Sequence, residues 1–315
     1  MQHALLRIGT RASRLALWQA RWVQNRLQQH WPGLTVEQVA IQTTGDRILD
    51  SPLAKIGGKG LFVKEIEEAL LAGSIDLAVH SMKDVPTRLP PGLEIGCITE
   101  RADPRDCLVL AAPARSLADL PRNARVGTSS LRRRAQLLHH RPDLRISDLR
   151  GNVDTRLRKM AEQQLDAIVL AAAGLQRLDY GNRIGLYLQP EDCLPAIAQG
   201  ALGLEIRCED ENTATLLAPL HHGATATAVT AERALLARLE GGCQVPVAGY
   251  AQLLDGRLLL TGLVAGLDGS VLLKDSLEGS GDQAAQIGTA LADRLLAQGA
   301  GAILQELYPQ QPESR

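Results

Sequence analysis

Residues 194–207, LPAIAQGALGLEIR, are apolar on both sides of a Gln199–Gly200 break, and the reading of that break decides the fold. Glycine admits left-handed backbone and interrupts regular structure, so a strand resuming near Leu202 can leave one α/β unit and carry the chain back to another. The upstream sequence supplies both units. Short apolar runs at Leu5–Ile8, Val36–Ile41 and Ile75–Val79 alternate with helical patterns, and the alternation repeats at Cys107–Leu110, Arg125–Gly127, Leu144–Ser147 and Asp166–Leu170. This predicts α/β architecture with a largely parallel sheet, and a return through Gly200 would make two lobes with a cleft between them. From about residue 221 the texture changes. A helix over Ala226–Glu240, strands over Val247–Leu254, Arg257–Val264 and Ser270–Glu278, and a helical stretch over Asp282–Leu307 predict a small α+β C-terminal domain, with Asp255–Gly256 and Asp268–Gly269 as hairpin turns. The expected domains are 1–100 with 201–218, then 101–200, then 219–315.

A chain of 315 residues exceeds one typical core, and 45% hydrophobic with 22% charged residues excludes disorder. The opening MQHALLR lacks the features of a signal peptide, and no apolar run approaches the roughly 18 residues of a membrane span. A soluble, cytoplasmic protein is expected. Five cysteines with no Cys-x-x-Cys spacing suggest neither a disulfide framework nor a zinc site. The adjacent pairs His139–His140 and His221–His222 do not share a helix face, so no metal is expected. Net charge is −1, yet residues 122–159 hold eleven Arg or Lys against three Asp. That local excess implies an anionic ligand.

Three strand-to-helix junctions share one device, a small polar cluster beside arginine: Thr10–Ser13, Gly127–Arg133 and Arg150–Arg156. Free amides at a helix start attract anions, and a guanidinium adds a bidentate grip on carboxylate or phosphate. Taken singly, each junction also reads as capping beside a solvated arginine. The run Arg132–Arg134 admits a nucleic-acid reading as well, but one Phe and four Tyr leave few stacking platforms, so no nucleic acid is expected. Gly57–Gly60 lacks the spacing of a phosphate loop, and no dinucleotide motif comes after a strand. Lys83–Asp84 falls at the C-terminal end of a buried strand, where open α/β sheets place ligands. It offers a cation beside an acid suited to proton transfer or to stabilising a developing positive charge, and it also reads as a surface ion pair in a turn. His80 alternates to the opposite face and reads as a core histidine. Cys243, behind Gly241–Gly242 and ahead of Pro246, reads equally as a thiol presented on a loop or as a small buried hydrophobe.

The motifs TRASRLALWQA (10–20), TTGD (43–46), GGKGLFVKEIE (57–67), AVHSMKDVPT (78–87), GTSSLRRRAQL (127–137), LRGNVDTRL (149–157), AAAGLQRL (171–178) and AERALLARLEGGCQVPVAG (231–249) resemble, in order and spacing, the porphobilinogen deaminase (hydroxymethylbilane synthase) family over essentially the full chain. The resemblance implies two periplasmic-binding-protein-like (type II) α/β domains around a cleft, with the third domain presenting a cysteine to it. It implies a transferase of tetrapyrrole and haem biosynthesis that joins four porphobilinogen molecules into hydroxymethylbilane, releasing ammonia, on a dipyrromethane cofactor bonded through a thioether to Cys243. Asp84 and Lys83 take the catalytic position, Asp84 facing the azafulvene formed as ammonia leaves. Ser81, Lys83, Asp84, Thr128, Ser129, Ser130, Arg132, Arg133 and Arg156 match cofactor contacts. Arg11, Ser13, Gln19, Arg150, Arg156, Arg177 and Gln199 match substrate contacts, while Lys55, Lys59 and Phe62 match a mobile loop. The resemblance leads to an expected monomer. Arg14 stands where proline is expected, and Ala198 where glycine is common. The alternative is a non-catalytic anion-binding module of the same two-lobed architecture.

Overall fold

The computed structural model describes residues 5–47, 63–239 and 245–307. Lys55, Lys59, Phe62 and Cys243 lie outside the described residues. The chain runs β1 (Leu5–Arg11), α1 (Arg14–His30), β2 (Thr35–Ile41), a single turn α2 (Thr44–Arg47), α3 (Lys64–Leu71), β3 (Leu77–Ser81) and β4 (Leu93–Ile98). It continues as β5 (Asp106–Leu110), β6 (Arg125–Gly127), α4 (Leu131–His140), β7 (Arg145–Ser147), α5 (Val153–Glu162), β8 (Ala167–Ala171), α6 (Ala172–Arg177) and β9 (Leu186–Tyr187). Then come β10 (Leu202–Arg207), α7 (Glu211–Leu217), α8 (Gly223–Arg238), β11 (Val247–Leu254), β12 (Arg257–Ala265), β13 (Leu272–Ser280), α9 (Ala284–Ala297) and α10 (Ala300–Leu307).

Two five-stranded sheets have the same plan, β2-β1-β3-β10-β4 and β7-β6-β8-β5-β9. In each, the fourth strand is the one that arrives from the other lobe, and it alone runs against the rest. The direction is set by where the chain enters. Leu202 pairs with Ser81 and Asp106 with Ala171, so both incoming strands start at the cleft ends of their neighbours and must run away from them. The largely parallel sheets and the return through Gly200 are therefore as expected. β3 and β8 are apolar without alternation because both faces are covered. Residues Ala16, Gln19, Ala20, Val23 and Leu27 form the buried stripe of α1.

The two crossovers pass backbone against backbone. A Cβ on Gly200 would lie 2.5 Å from the Ala102 carbonyl oxygen, and the residue has φ +94°. Ala198 holds φ +57°, a conformation that costs a non-glycine residue about 1–2 kcal/mol. Its N–H donates to Glu232 of α8 at 2.5 Å. The same fully buried carboxylate accepts from Arg101 at 2.6 and 3.1 Å and from the Ala251 N–H at 2.8 Å. Glu232 thus ties the third unit to both crossovers and holds Ala198 where glycine would be relaxed.

In the third unit β11, β12 and β13 form an antiparallel meander. Asp255 and Gly256 both take positive φ, 48° and 77°, as a two-residue hairpin turn requires. The last strand starts at Leu272, not Ser270, because Ser270 is drawn into the turn by Asp268 at 3.0 Å. The expected long C-terminal helix is two helices, broken at Gly299 with φ +105°. The sequence pattern does not anticipate β4 or the two-residue β9.

His80 is a core histidine, bonded to Glu205 at 2.9 Å. Glu205 Oε1 has no hydrogen-bond partner among the described residues. Burial, then the charge of Glu205, pushes the nearby Glu67 carboxyl up to about 7, with His80 opposing. Its folded-state pKa lies above the unfolded value, so the fold favours the protonated form. Stability from this group is complete below about pH 4.5 and is lost as pH rises to about 7. Glu67→Gln is expected to stabilise the protein by about 1–3 kcal/mol at pH 8 and by far less near pH 4.5, measured by urea unfolding. An equal gain at both pH values would exclude protonation as the cause.

Candidate active site

Beyond Ser81, β3 turns into a single 3-10 turn over Met82–Asp84, closed by the Val85 N–H on the Met82 carbonyl at 3.3 Å. Met82 is buried beneath it, leaving Lys83 and Asp84 on the cleft side. Gln19 of α1 donates to Ser81 Oγ at 2.9 Å. Lys83 Nζ donates to Gln199 Oε1 at 3.4 Å, joining the end of β3 to the second crossover. Lys83 keeps part of its surface open but sits deep in the cleft. Burial, with Arg133 and Arg132 adding, pushes its ammonium down to about 8 against the opposing charges of Asp84 and Asp106.

The second lobe meets this turn with two helix starts. Ser130 caps α4, accepting from the Arg133 N–H at 3.5 Å. Thr128 Oγ1 accepts from the Ser130 N–H at 3.2 Å, and Ser129 Oγ from the Leu149 N–H at 2.9 Å. In each bond the hydroxyl is the acceptor, so its own O–H can still be donated to an anion. Asn152 caps α5 at 2.9 Å from the Thr155 N–H. Arg156, one turn on, donates from Nε to the Gly151 carbonyl at 2.7 Å. Burial and then Arg133 push its guanidinium down to about 10, with Asp84 opposing and Arg150 adding. Arg177 at the end of α6 donates to the Gly200 carbonyl at 2.8 Å, and burial lowers it to about 10 as well. A guanidinium is lowered when it is desolvated without full anionic compensation.

Arg132 and Arg133 are almost wholly buried, and both meet Asp106 at 2.7 Å. Of the Arg132–Arg134 run only Arg134 is exposed, so the run is no surface patch. Arg11 forms an ion pair with Asp46 of the TTGD segment, Nε lying 3.2 Å from Oδ1. Burial works against the Asp46 charge, but Arg11 and Thr43 outweigh it and lower its pKa. Ser13 caps α1, accepting from the Ala16 N–H at 3.3 Å. Arg14, at the position where proline is expected, reaches across the lobes to Asp154 and Tyr180 at 2.9 Å each.

The structure thus brings Ser81, Lys83, Asp84, Gln19, Gln199, Arg132, Arg133 and Arg156 into one connected region. Arg11 is occupied by Asp46, and Arg177 lies on the hinge with Trp18, 5.9 Å from the ring centroid. Sequence reading misses Asp106, Asp46 and Glu232. Asp106 has one usable signal, a carboxylate opening the otherwise apolar run Cys107–Leu110. Among the described residues no His, Cys, Asp and Glu side chains gather as a metal site.

The model described as "Porphobilinogen deaminase, dipyromethane cofactor binding domain" matches residues 6–215, and "Porphobilinogen deaminase, C-terminal domain" matches residues 226–297. The chain is 62% identical over 307 residues to the porphobilinogen deaminase of Syntrophotalea carbinolica, covering 98% of this chain and 97% of that one. It is 56% identical over 303 residues to that of Geobacter metallireducens, covering 96% and 95%. Among solved structures it is similar to the Bordetella pertussis BvgS periplasmic VFT2 domain (TM-score 0.39, 16% identity, 68% of this chain and 86% of that one). It is also similar to the periplasmic aliphatic sulphonate binding protein SsuA of Escherichia coli (TM-score 0.39, 18% identity, 75% and 70%).

Proposed function

The chain belongs to the porphobilinogen deaminase family, and from that premise we propose that Asp84 and Lys83 are its catalytic pair and that Cys243 holds its dipyrromethane through a thioether. The enzyme deaminates porphobilinogen and joins four molecules head to tail into hydroxymethylbilane, releasing ammonia, on a dipyrromethane cofactor. One observation carries the residue assignment: Lys83, Arg132, Arg133 and Arg156 cluster at the cleft, and among the described residues Asp84 and Asp106 are the carboxylates that offset them. A desolvated cation excess of this kind calls for an anionic ligand. Each pyrrole unit carries an acetate and a propionate, so the cofactor fits both the charge and the available hydroxyl donors.

When bound, the dipyrromethane supplies the pyrrole end on which the chain grows. Thr128, Ser129, Ser130, Arg132, Arg133 and Arg156 hold its carboxylates at the starts of α4 and α5. Arg11, Ser13, Gln19, Arg150, Arg177 and Gln199 receive the incoming substrate and the growing chain. The Asp84 carboxylate faces the pyrrole N–H groups, stabilises the positive charge that develops on the substrate as its amino group leaves, and accepts or returns the ring proton. Lys83 keeps a cation beside Asp84 at the cleft.

The protein is proposed to act as a cytoplasmic monomer without nucleic acid, with domains at 1–100 plus 201–218, 101–200 and 219–315. No described helix is long and apolar enough to cross a membrane. The test is direct: purified protein supplied with porphobilinogen is expected to release one ammonia per unit consumed and to form hydroxymethylbilane. Binding of porphobilinogen without ammonia release would overturn the assignment in favour of an anion-binding module.

A further inference from the structure

Asp106 takes no part in the chemistry assigned to Asp84 and Lys83, yet it is the most heavily engaged carboxylate among the described residues of the cleft. It is fully buried at the start of β5. Oδ1 accepts from Arg133 Nη2 at 2.7 Å and from Gln199 Nε2 at 2.9 Å. Oδ2 meets Arg132 Nη1 at 2.7 Å and accepts from Cys193 Sγ at 3.5 Å. Two oxygens with about four lone-pair directions are then saturated. Burial opposes its charge, but Arg132 and Arg133 more than compensate and hold it far below the usual carboxylate range. A group so placed neither accepts a proton nor reaches a ligand. What it can do is aim its neighbours.

Both arginines are fixed from behind. Arg132 also donates to the Leu194 carbonyl at 2.7 Å, and Arg133 Nη1 to the Val169 carbonyl at 3.1 Å. A guanidinium anchored on one edge keeps its remaining donors in a set direction. Gln199 carries the contact further, since its amide donates to Asp106 while its oxygen accepts from Lys83 at 3.4 Å. Asp106 lies directly after the first crossover and Gln199 within the second. The chain of contacts from Asp106 to Lys83 therefore runs through the hinge itself.

We propose that Asp106 is a positioning residue: its carboxylate aims Arg132 and Arg133 at the ligand carboxylates and, through Gln199, sets the place of Lys83 beside Asp84. The proposal rests on the reading that these cations face cofactor and substrate. In the cofactor-free chain Asp106 also serves as an internal counter-charge, keeping a cradle of like charges assembled before the polyanion arrives.

Among the described residues, the charged groups that act most strongly on Lys83 are Asp84 on its own turn, Asp106 on β5, and Arg132 and Arg133 on α4. Full-length Asp106→Asn and Gln199→Met are compared with the parent by three readouts. These are cofactor content by intact mass, the pH midpoint of Lys83 labelling by an amine reagent located by peptide mass spectrometry, and kcat with KM. Asp106→Asn removes an anion and turns an amide toward a guanidinium. It is expected to lower the Lys83 midpoint by about one unit relative to the parent and to reduce cofactor content severalfold. Asp106→Glu, which keeps the charge, is expected to restore the midpoint more fully than kcat. Gln199→Met leaves the Asp106–arginine pairs in place but removes both a substrate contact and the link to Lys83, so it is expected to raise KM and to lower kcat about tenfold, with a shifted Lys83 midpoint separating the lost link from the lost contact. A folded Asp106→Asn with the parent's midpoint and cofactor content would overturn the proposal. Should that variant not fold, Gln199→Met decides, and parental kcat and midpoint overturn it. Arg133→Met tests the underlying reading separately: unchanged cofactor content and KM there would mean that this arginine does not face the ligand, whatever Asp106 does.

Discussion

Asp84→Ala is expected to keep its covalently attached cofactor and to lose turnover of porphobilinogen by roughly 10³-fold. The two outcomes separate because the carboxylate lies in the 3-10 turn after β3, while the proposed carboxylate-binding groups come mainly from α4 and α5. Removing Asp84 leaves those contacts but takes away the negative charge where the substrate becomes positive. It also leaves Asp106 to offset Lys83, Arg132, Arg133 and Arg156. Asp84 raises both Lys83 and Arg156, so its loss lowers both further and moves any alkaline limb governed by Lys83 to lower pH than in the parent. Asp84→Asn keeps the shape without the charge and is expected to be nearly as impaired. Asp84→Glu keeps the charge one methylene out of place and should fall between parent and Ala. Single-turnover kinetics with intact-mass measurement check this. An Ala variant retaining more than about a tenth of parental kcat would remove Asp84 from the chemistry.

The Lys83–Asp84 pair is legible because the sequence around it is locally self-explanatory. A continuous apolar run bounded by turn signals fits a covered strand, and the residues just past its C-terminal end then lie at the cleft. The same logic makes β8 and the return strand β10 visible. β4 escapes because Glu94 and Gly96 break its apolar pattern. Gly96 accommodates a long-range contact, since a Cβ there would lie 2.5 Å from Ile206 Cδ1 and would push that side chain aside, and that neighbour is more than a hundred residues away. β9 has two residues and so no periodicity to read.

The site divides along the same line. Arginines beside helix starts announce anion binding, but nothing local states that Arg132 and Arg133 share Asp106, 26 and 27 residues distant and on another strand, or that Gln199 closes the circuit from 93 residues away. Such pairings are decided by how the crossovers pass each other, where Gly200 lets the backbones touch. Glu232 is a similar case. It stands in a helix of ordinary pattern, and its function at Ala198 and Arg101 exists only once the third unit docks.

Cys243→Ser is expected to yield a chain whose mass equals that of its sequence and which forms no hydroxymethylbilane, because the primer has no point of attachment. A thioether forms when a thiolate attacks an electrophilic carbon, and a serine hydroxyl is far too weak an acid and nucleophile to replace it. The structure narrows the alternatives among the other cysteines. Cys97, Cys107 and Cys193 are buried, and burial pushes each thiol up to about 12, so none offers thiolate at neutral pH. Cys208 is exposed, but it comes after β10, which starts at the cleft beside Ser81 and runs away from it. That puts Cys208 at the far end of the sheet. Peptide mapping of the parent is accordingly expected to find the two-pyrrole adduct on the peptide containing Cys243, and Cys208→Ser to leave it there. An adduct that survives Cys243→Ser, or maps to Cys208, would refute the assignment. The unloaded variant also tests the electrostatic argument. With no polyanion in the cleft, the cations Lys83, Arg132, Arg133 and Arg156 lose the ligand carboxylates that add to Asp84 and Asp106, so its Tm should fall several degrees below that of the loaded parent. Rising phosphate or sulphate should recover part of that loss, as anions take the places meant for carboxylates. Turnover of isotopically labelled porphobilinogen by the parent separates anchor from nucleophile. Label that leaves entirely with the product, while the adduct on Cys243 stays unlabelled, means that the sulfur bond persists through every cycle and that the product is cut away at the other end.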